Sequence, residues 1–464
     1  MAGNRRNRSP SRKFEGRRRS APVTQKLSAI RLLVAGYAVV VLIAAGLLSL
    51  PVSSARGEWQ SPIDALFVAS SGISGSGLSP VDIGAHYSLF GQIVLLVDFQ
   101  IGGIGYMALF VYIMHLMGGR LAVHHQLVAA ESMAAPGLRT LARFFRWVVA
   151  MTFFFEGIGA LVLTCRWAGE FGLARAAFLG IFHAVSAFCT VGFSTFSDSL
   201  RTYQRDPVVN ITIGGLCIVG AIGFVVLDDV RSWWGKWRRG ERPRRLSTHS
   251  KLAFTFAATV IPLSTAVVYA WEKWPAAWTE GERLMAAAFQ AVSASTSAGF
   301  STLEIGVMSP NSLLVLMLLM FIGGSSGSTA GGVKTTTVGV VWTSLVAQLR
   351  RADPNLFRRR IPDGTVHRAH AILLACLLIN VFNAMFLTTI QEGPPMKCVF
   401  EVVSALGNSG LSMGITPELT PAARVLLTLT MFVGRVGPLA IATALMARRE
   451  APRYRCADAT IFVG

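Results

Sequence analysis

Charged side chains are scarce in this sequence of 464 residues. Asp, Glu, Lys and Arg make up 14% of the chain, whereas a typical soluble domain contains about 25%. Hydrophobic residues make up 52%. A water-facing surface needs more charge than that, so the composition excludes an ordinary soluble protein. A large soluble protein with many buried helices is excluded as well, because one core could not hold all of the chain's long apolar runs.

Paired cysteines and common catalytic signatures are also missing. The six cysteines include no CxxC pair, and most lie in apolar runs, which is typical of small buried hydrophobic residues. The sequence has no HExxH, no GxSxG with usable partners, and no glycine fingerprint of a nucleotide-binding βαβ unit. We therefore expect a chain that is not an enzyme, even an intramembrane one, and that binds no cofactor itself.

Long apolar runs are abundant. Eight of them reach the roughly 20 residues that a helix needs to span the hydrocarbon core of a bilayer. The runs are Leu32–Leu50, Phe90–Met117, Trp147–Cys165, Val208–Leu227, Leu252–Ala270, Ser312–Gly332, Ala369–Ile390 and Arg424–Met446. They predict a multi-pass membrane protein.

Acidic residues are few, 24 against 43 Lys and Arg. If the N-terminus is cytoplasmic and each run crosses once, most basic residues fall on the inner side, which is the positive-inside pattern. We therefore expect the inner (cytoplasmic) membrane as the location and residues 1–24 as a disordered basic cytoplasmic tail. The clusters Arg238–Arg245 and Arg358–Arg360 then lie beside the membrane, where lipid rather than nucleic acid is the expected partner.

Four apolar segments that are too short to cross a bilayer share one pattern. Each contains Phe, then Ser four residues later, Gly ten residues after the Phe, then Leu or Phe, and then Ser. The four glycines follow one another at intervals of 107 to 115 residues, which makes chance coincidence at five positions implausible. They are Gly77, Gly192, Gly299 and Gly410.

This internal repeat predicts an all-α membrane protein of four tandem helix–pore loop–helix repeats. Eight transmembrane helices and four re-entrant loops would surround one central pore. The repeats are placed at residues 25–119, 120–230, 231–350 and 351–464, the last with a C-terminal tail. Two crossings per repeat restore the orientation, so all four loops open on the outer side, unlike inverted repeats.

The predicted loops have the chemistry of a cation filter. Non-helical backbone at membrane depth is tolerated only beside water or inside protein. Each short helix would point its C-terminal end, with roughly half a negative charge, at the pore axis. Glycine at positive φ lets successive carbonyls face inward, as in the carbonyl rings of potassium filters. We expect K⁺ as the transported ion, bound at Ser76, Gly77, Val191, Gly192, Ala298, Gly299, Ser409 and Gly410.

The repeated Phe and Ser have a different expected role. We expect the Phe to pack the short helix and the Ser to bond nearby backbone, with no ion contact. Membrane turns whose glycines allow close helix packing remain the alternative for a single loop, but four loops in register disfavour it.

The sixth run predicts a gate. As one helix, Ser312–Gln348 would be about 55 Å long, far more than the bilayer core. Five glycines with Ser and Thr in its middle are poor helix formers, so we expect a break and a loop below the filter, with a plain helix kink as the alternative. We call residues Gly323–Gly332 the gate segment. The predicted gate comprises Gly323, Gly324, Ser325, Ser326, Gly327, Ser328, Thr329, Ala330, Gly331, Gly332, Lys334 and Arg435.

Four charges at predicted membrane depth need partners or a cavity. Lys334 is expected beside the gate segment, where its charge would repel cations. Arg435 is expected to face the pore below the filter, with snorkelling to an interface as the alternative. Asp98 is expected to line the cavity or to pair with Arg435 or Lys334, and Glu156 to bond backbone within the bundle.

The four loops, the stretch from Phe321 to Thr337 and the Gly434-Arg435-Val-Gly-Pro438 motif resemble the bacterial Trk/Ktr potassium-transporter superfamily, which includes TrkH and KtrB. The similarity runs from about Gln25 to the C-terminus. It implies potassium uptake through one pore, a homodimer, and a KtrA/TrkA-like cytoplasmic regulator ring with nucleotide-binding domains. The chain has no additional N-terminal pair of spans, so its layout resembles KtrB more closely.

Two departures from the family pattern bear on selectivity. The first filter reads Ser74-Gly-Ser-Gly77, richer in Ser and Gly than the family pattern, and Asp98 stands where an aliphatic residue is usual. A sodium-permeable or weakly selective cation channel of the same fold therefore stays open as the alternative.

Overall fold

The computed structural model describes residues 23–105, 141–241, 245–438 and 441, with the side chains of residues 23–33 and 141–144 excepted. The predicted basic tail before residue 23, the end of the second run, the boundary at residue 119 and the end of the last run lie outside these ranges. Within them the regular secondary structure is helical apart from one two-residue strand pair, β1 (Asn355–Leu356) with β2 (Arg359–Arg360), and two isolated β-bridges.

The helices come in the following order. They are α1 (Val23–Ser49), α2 (Pro62–Ser74), α3 (Ile83–His86), α4 (Leu89–Ile104), α5 (Leu141–Phe171), α6 (Leu173–Phe188), α7 (Pro207–Ile222), α8 (Phe224–Arg238), α9 (Thr248–Trp271), α10 (Glu280–Ser295), α11 (Pro310–Phe321), α12 (Thr335–Leu349), α13 (Asp363–Ile390), α14 (Pro395–Gly407) and α15 (Pro421–Val436).

Three helices in the described ranges are long and apolar enough to cross a bilayer alone, namely Phe145–Phe171 within α5, α9 and α13. The pair α7 and α8 meets the same criterion only when taken together, and it bends by 93° at Gly223. Shorter apolar helices include Leu89–Ile104 and Pro310–Phe321. These lengths agree with a membrane protein, while the count of eight spans stays a prediction.

The helices that follow the four loops start at strong N-terminal caps. The side chains of Ser88, Asp206, Ser309 and Thr420 each accept a hydrogen bond from a backbone N–H in the first turn of α4, α7, α11 and α15. Proline follows the cap in α7, α11 and α15, where its missing N–H has no cost. These capping residues mark where the chain turns back after each of the four loops.

The C-terminal ends of α7 and α11 come before the ends of the corresponding predicted runs. The fourth run was predicted as a straight span, Val208–Leu227, but α7 ends at Ile222 because Gly223 adopts φ +98° and turns the chain. The predicted break in the sixth run is confirmed, since α11 ends at Phe321 and α12 begins only at Thr335.

The last unit packs against the first. Phe67 and Leu78 share a buried cluster with Leu427 and Met431 of α15. Arg424 at the start of α15 forms an ion pair with Asp64 at the start of α2. Sequence-distant ends of the chain therefore meet, and the four short helices α2, α6, α10 and α14 come to lie around one centre.

Candidate functional site

The repeated Phe and Ser hold the four short helices. The Phe side chains are between 0% and 5% exposed, which confirms their packing role; they are Phe67, Phe182, Phe289 and Phe400. The Ser hydroxyl bonds backbone in two repeats, from Ser186 to the Phe193 carbonyl (2.8 Å) and from Ser293 to the Phe300 carbonyl (2.6 Å). The hydroxyls of Ser71 and Ser404 have no hydrogen-bond partner in the described part of the chain. The expectation for Ser therefore holds in half of the repeats.

The backbone of the same serines forms one bond in all four repeats. The Ser carbonyl accepts a hydrogen bond from the N–H five residues later, at 2.8 to 2.9 Å. The pairs are Ser76 to Ser71, Val191 to Ser186, Ala298 to Ser293 and Ser409 to Ser404. This bond ends each short helix in the same way and orients the residue just before the glycine.

All four predicted glycines have left-handed backbone. Their φ angles are +80°, +82°, +78° and +81° for Gly77, Gly192, Gly299 and Gly410, as expected from the sequence. A second left-handed residue precedes each glycine by two positions, and this was not predicted. These residues are Gly75 (φ +73°), Thr190 (+53°), Ser297 (+54°) and Asn408 (+49°). Of these four residues, only Gly75 and Asn408 could be expected from residue type, because Gly and Asn tolerate left-handed backbone.

The four glycines and the residues before them form one ring, which we call the filter ring. A side-chain carbon added to any of the four glycines would lie under 3.0 Å from the carbonyl oxygen of the residue before the next glycine. The successive partners are Gly77 with Val191, Gly192 with Ala298, Gly299 with Ser409, and Gly410 with Ser76. All eight residues predicted for the filter therefore meet, in chain order, around one centre.

A cavity of about 350 Å³ opens from the filter ring. Its lining includes all four filter glycines and the charged residues Asp82, Asp198, Arg201 and Glu304. The Arg201 guanidinium lies 3.1 Å from the Glu304 carboxylate, so these opposite charges pair within the lining. The ring is thus accessible from one side through a polar vestibule.

The gate segment lies against the other side of the ring. The Thr329 hydroxyl is 3.1 Å from the Phe188 carbonyl and 3.2 Å from the Thr190 hydroxyl. A Cβ atom on Gly323 would lie 3.0 Å from the Ser297 hydroxyl, and one on Gly331 would lie 2.5 Å from the Asn408 Cβ. The segment therefore touches three of the four loops at or next to their unpredicted left-handed residue.

The segment is also bonded to the end of α7. The Ser325 and Thr329 N–H groups donate to the Ala221 and Gly220 carbonyls, at 2.9 and 3.2 Å. The Phe224 N–H of α8 donates to the Gly327 carbonyl at 2.9 Å. Glycine is required at positions 324 and 331 of the gate segment, because a Cβ atom at either position would clash with neighbouring atoms. The gate segment is therefore a loop of small residues, held by three backbone hydrogen bonds to the bend between α7 and α8.

Two cationic side chains bond the carbonyls of this segment. The Lys334 ammonium donates to the Ala330 carbonyl (2.5 Å) and the Gly331 carbonyl (3.2 Å). Arg435 donates to the Thr329 carbonyl and, through its other terminal nitrogen, to the Gly102 carbonyl of α4. Three consecutive carbonyls below the filter ring thus bond protein cations. Lys334 therefore lies beside the gate segment, as the sequence predicts.

Two acidic residues at predicted membrane depth are buried. Asp98 is 3% exposed and faces Gly72 of α2, and neither of its oxygens accepts a hydrogen bond from a described residue. Its place in the cavity wall, or its pairing with Arg435 or Lys334, stays a prediction. Glu156 bonds side chains instead of backbone: Gln100 donates at 3.2 Å and the Cys189 thiol at 3.6 Å.

Known proteins resemble this chain over almost its full length. Residues 24–454 match the family TrkH, described as "Cation transport protein". The chain is 35% identical over 441 residues to the "Ktr system potassium uptake protein B" of Bacillus subtilis (strain 168), with 94% of this chain and 96% of the relative covered. It is 34% identical over 440 residues to the protein of the same name from Vibrio alginolyticus, with 94% of each covered. Identity to "Potassium/sodium uptake protein NtpJ" of Enterococcus hirae is 30% over 452 residues, with 95% and 98% covered.

The fold is also similar to a solved structure. The crystal structure of the potassium transporter TrkH from Vibrio parahaemolyticus superposes with a TM-score of 0.71 at 18% identity, covering 94% of this chain and 87% of that one. At that identity the match speaks for the fold alone. The matched family is one of transporters, which confirms that the chain is not an enzyme. Because the family match spans nearly the whole sequence, this chain belongs to the TrkH family of cation transport proteins, as its resemblance to the Trk/Ktr superfamily predicted.

Proposed function

We propose that this chain is the conducting subunit of a potassium uptake system and that K⁺ crosses the cytoplasmic membrane through its centre. The observation that carries the proposal is the filter ring, in which four glycines with φ between +78° and +82° each pack against the carbonyl of the next loop. Relatives that match almost end to end are named for potassium uptake. The transported ion is thus K⁺, and no cofactor is required.

The proposed architecture has four repeats, at residues 25–119, 120–230, 231–350 and 351–464. Each repeat contributes two spans and one re-entrant loop, with the N-terminus in the cytoplasm. The four short helices and the contact between the last and the first unit support a closed ring around one axis. The excess of Lys and Arg in the segments between even and odd spans supports the orientation.

In this proposal the filter ring replaces the water around the ion. The carbonyls of Ser76, Val191, Ala298 and Ser409 are oriented by the repeated bond to the short helix five residues earlier. Four helix C-termini add partial negative charge at the same centre. Fixed carbonyls of this kind favour an ion whose dehydration they compensate, which is how K⁺ filters operate.

The gate segment closes the path below the ring. It touches three of the filter loops, and it keeps the charges of Lys334 and Arg435 next to the exit of the ring. A positive charge at that position repels a cation that leaves the filter. Movement of the segment away from the ring opens the pore.

The regulating partner in this proposal is a cytoplasmic, nucleotide-binding KtrA/TrkA-like ring, and the chain forms a homodimer. The relatives belong by name to a Ktr "system", which supports a partner subunit. The chain's own sequence has no nucleotide-binding fingerprint. Nucleotide control therefore has to come from another polypeptide.

Ion flux into proteoliposomes tests the function. Purified protein should carry K⁺ in preference to Na⁺ under equal gradients. Gly192→Ser should reduce that preference, because its Cβ would overlap the Ala298 carbonyl and its φ of +82° disfavours a side chain. Gly215→Ser is the matched control, since no atom lies within 4 Å of the added Cβ. Equal selectivity in G192S and wild type, or no flux of any monovalent cation, would contradict the proposal.

A second candidate is conduction of both K⁺ and Na⁺. The relative from Enterococcus hirae is named for both ions, and the first filter loop contains Ser76 between two glycines. Comparable K⁺ and Na⁺ fluxes in the same wild-type vesicles would favour this reading. If the first loop is the source of the Na⁺ flux, Ser76→Val should raise the preference for K⁺ over Na⁺.

A further inference from the structure

Helix α8 leaves the direction of α7 at nearly a right angle. The bend is 93° and occurs at Gly223. If α7 crosses the membrane, α8 runs parallel to the membrane plane at its inner surface. A helix in that position is either covered by protein or immersed in the interface between headgroups and acyl chains.

The exposed half of α8 has the composition of an interfacial helix. Val226 is buried, and Val230, Trp233, Trp234 and Trp237 continue the same helical face. The three tryptophans are 39%, 50% and 60% exposed. Tryptophan is the residue that membrane interfaces enrich, because its ring is apolar and its N–H polar. We call this surface the Trp face.

Basic residues flank the Trp face. Arg231 and Arg238 lie on one side and Lys236 on the other, given 100° of rotation per residue. Arg238 lies over the Trp234 ring at 4.2 Å, and Arg231 lies 5.6 Å from the Trp147 ring of α5. The acidic Asp229 is used internally, since it accepts hydrogen bonds from the Ser250 hydroxyl (2.6 Å) and the Ser247 N–H (2.8 Å). Asp228 lies three residues before Arg231 and attracts its guanidinium. The part of α8 after Asp229 therefore carries only basic charged residues, namely Arg231, Lys236 and Arg238.

The same helix begins at the gate segment. The Phe224 N–H bonds the Gly327 carbonyl, and the adjacent Ala221 carbonyl accepts from the Ser325 N–H. Two backbone hydrogen bonds at the bend thus join the gate segment to the end of α7 and the start of α8. A displacement of α8 therefore acts directly on the segment.

We propose that the Trp face binds anionic phospholipid of the inner leaflet and thereby stabilises the gate segment below the filter. This inference rests on the proposed function for its effect on flux. The occupant is lipid because the face combines exposed tryptophans with the positive charges of Lys236 and Arg238, in an orientation along the membrane. A bound molecule shifts an equilibrium toward the state that it binds better. The position of α8 described here has the segment docked, so anionic lipid lowers basal flux.

Two measurements on the full chain test this. Native mass spectrometry records retention of phosphatidylglycerol, and potassium flux is compared in vesicles of phosphatidylcholine with and without phosphatidylglycerol. Phosphatidylglycerol should lower the flux of wild type. The variant R231Q/K236Q/R238Q should retain phosphatidylglycerol about fivefold less for each basic residue removed and should lose the difference between the two vesicle types. The control R56Q/R175Q/K273Q removes equal charge from exposed residues that the predicted orientation places on the outer side, and it should behave as wild type.

Equal lipid retention in wild type and R231Q/K236Q/R238Q would overturn the proposal, as would equal wild-type flux in both vesicle types. Loss of a co-purifying protein with unchanged lipid retention would also overturn it and assign the Trp face to a protein partner. If no variant carries any cation, the proposed function fails, while lipid retention still decides whether the Trp face binds lipid.

Discussion

Arg435 connects the gate segment to α4, so its replacement measures how firmly the segment is docked. One guanidinium nitrogen bonds the Thr329 carbonyl of the segment and another bonds Gly102 of α4. A hydrogen bond from a charged donor contributes about 1.5–3 kcal/mol, which is a factor of roughly 10 to 150 in an equilibrium constant. Arg435→Ala should weaken docking by that amount.

The assay is potassium flux into proteoliposomes that contain the purified chain without a partner protein. If the docked state dominates in wild type, basal flux of R435A should rise by about tenfold or more, following the lost bond energy. R435Q keeps a donor without the charge and should fall between R435A and wild type.

Arg424→Ala is the matched control for this experiment. Arg424 lies in the same helix, but it pairs with Asp64 and bonds the Pro417 carbonyl, away from the gate segment. R424A should lower thermal stability without raising basal flux. The reasoning is refuted if R435A unfolds at the wild-type temperature and still shows the wild-type basal flux.

Three further predictions concern neighbouring features. Deleting part of Ser325–Ala330 should raise basal flux and reduce dependence on a regulator; wild-type basal flux in a folded deletion variant would move the barrier to the filter. Asp98→Leu should raise the free energy of unfolding by about 1–3 kcal/mol in detergent, because both buried oxygens lack a partner among the described residues; a lower melting temperature would show that the carboxyl is needed. Gly223→Ala should strain the bend by about 1–2 kcal/mol at φ +98° and raise basal flux, whereas Gly215→Ala should not.

The meeting of the four glycines in the filter ring was predictable because one pattern occurs four times in the sequence. The repeated glycine requires positive φ, and all four glycines have it. The left-handed Thr190 and Ser297 were not predictable from residue type, since both side chains disfavour that region. Tertiary packing holds them there, with the Thr190 hydroxyl against Thr329 and the Ser297 hydroxyl near Gly323.

The bend after α7 was missed for a different reason. Hydropathy measures how apolar a run is but does not indicate where its helix axis bends. The run from Val208 to Leu227 stays apolar on both sides of the bend. The run contains four glycines, at positions 214, 215, 220 and 223, and nothing in the sequence marks the last of them as the bend. By contrast, five glycines within Gly323–Gly332 exclude a stable helix by propensity alone, so that break was predictable.

The partners of buried charges were the least predictable part. Sequence spacing placed Asp98 at the depth of Arg435 and Lys334 but could not decide which face of α4 it occupies. It faces Gly72 of the first short helix, where a larger residue would clash with the carboxylate. The missing side chain of Gly72 thus provides the room for Asp98, a pairing that no single-residue rule reveals.

The gate segment, Gly323–Gly332, belongs to the third of the four proposed repeats. In a pore assembled from identical subunits, every gating element is present in as many copies as there are subunits, and partial opening has intermediate levels. Here one polypeptide contains the segment once, bonded to Ala221, Phe224 and Arg435. Opening of one pore is then a single event between two states. Single-channel records should accordingly contain one closed and one open current level, with no sublevels, and the dwell times in each level should follow single exponentials.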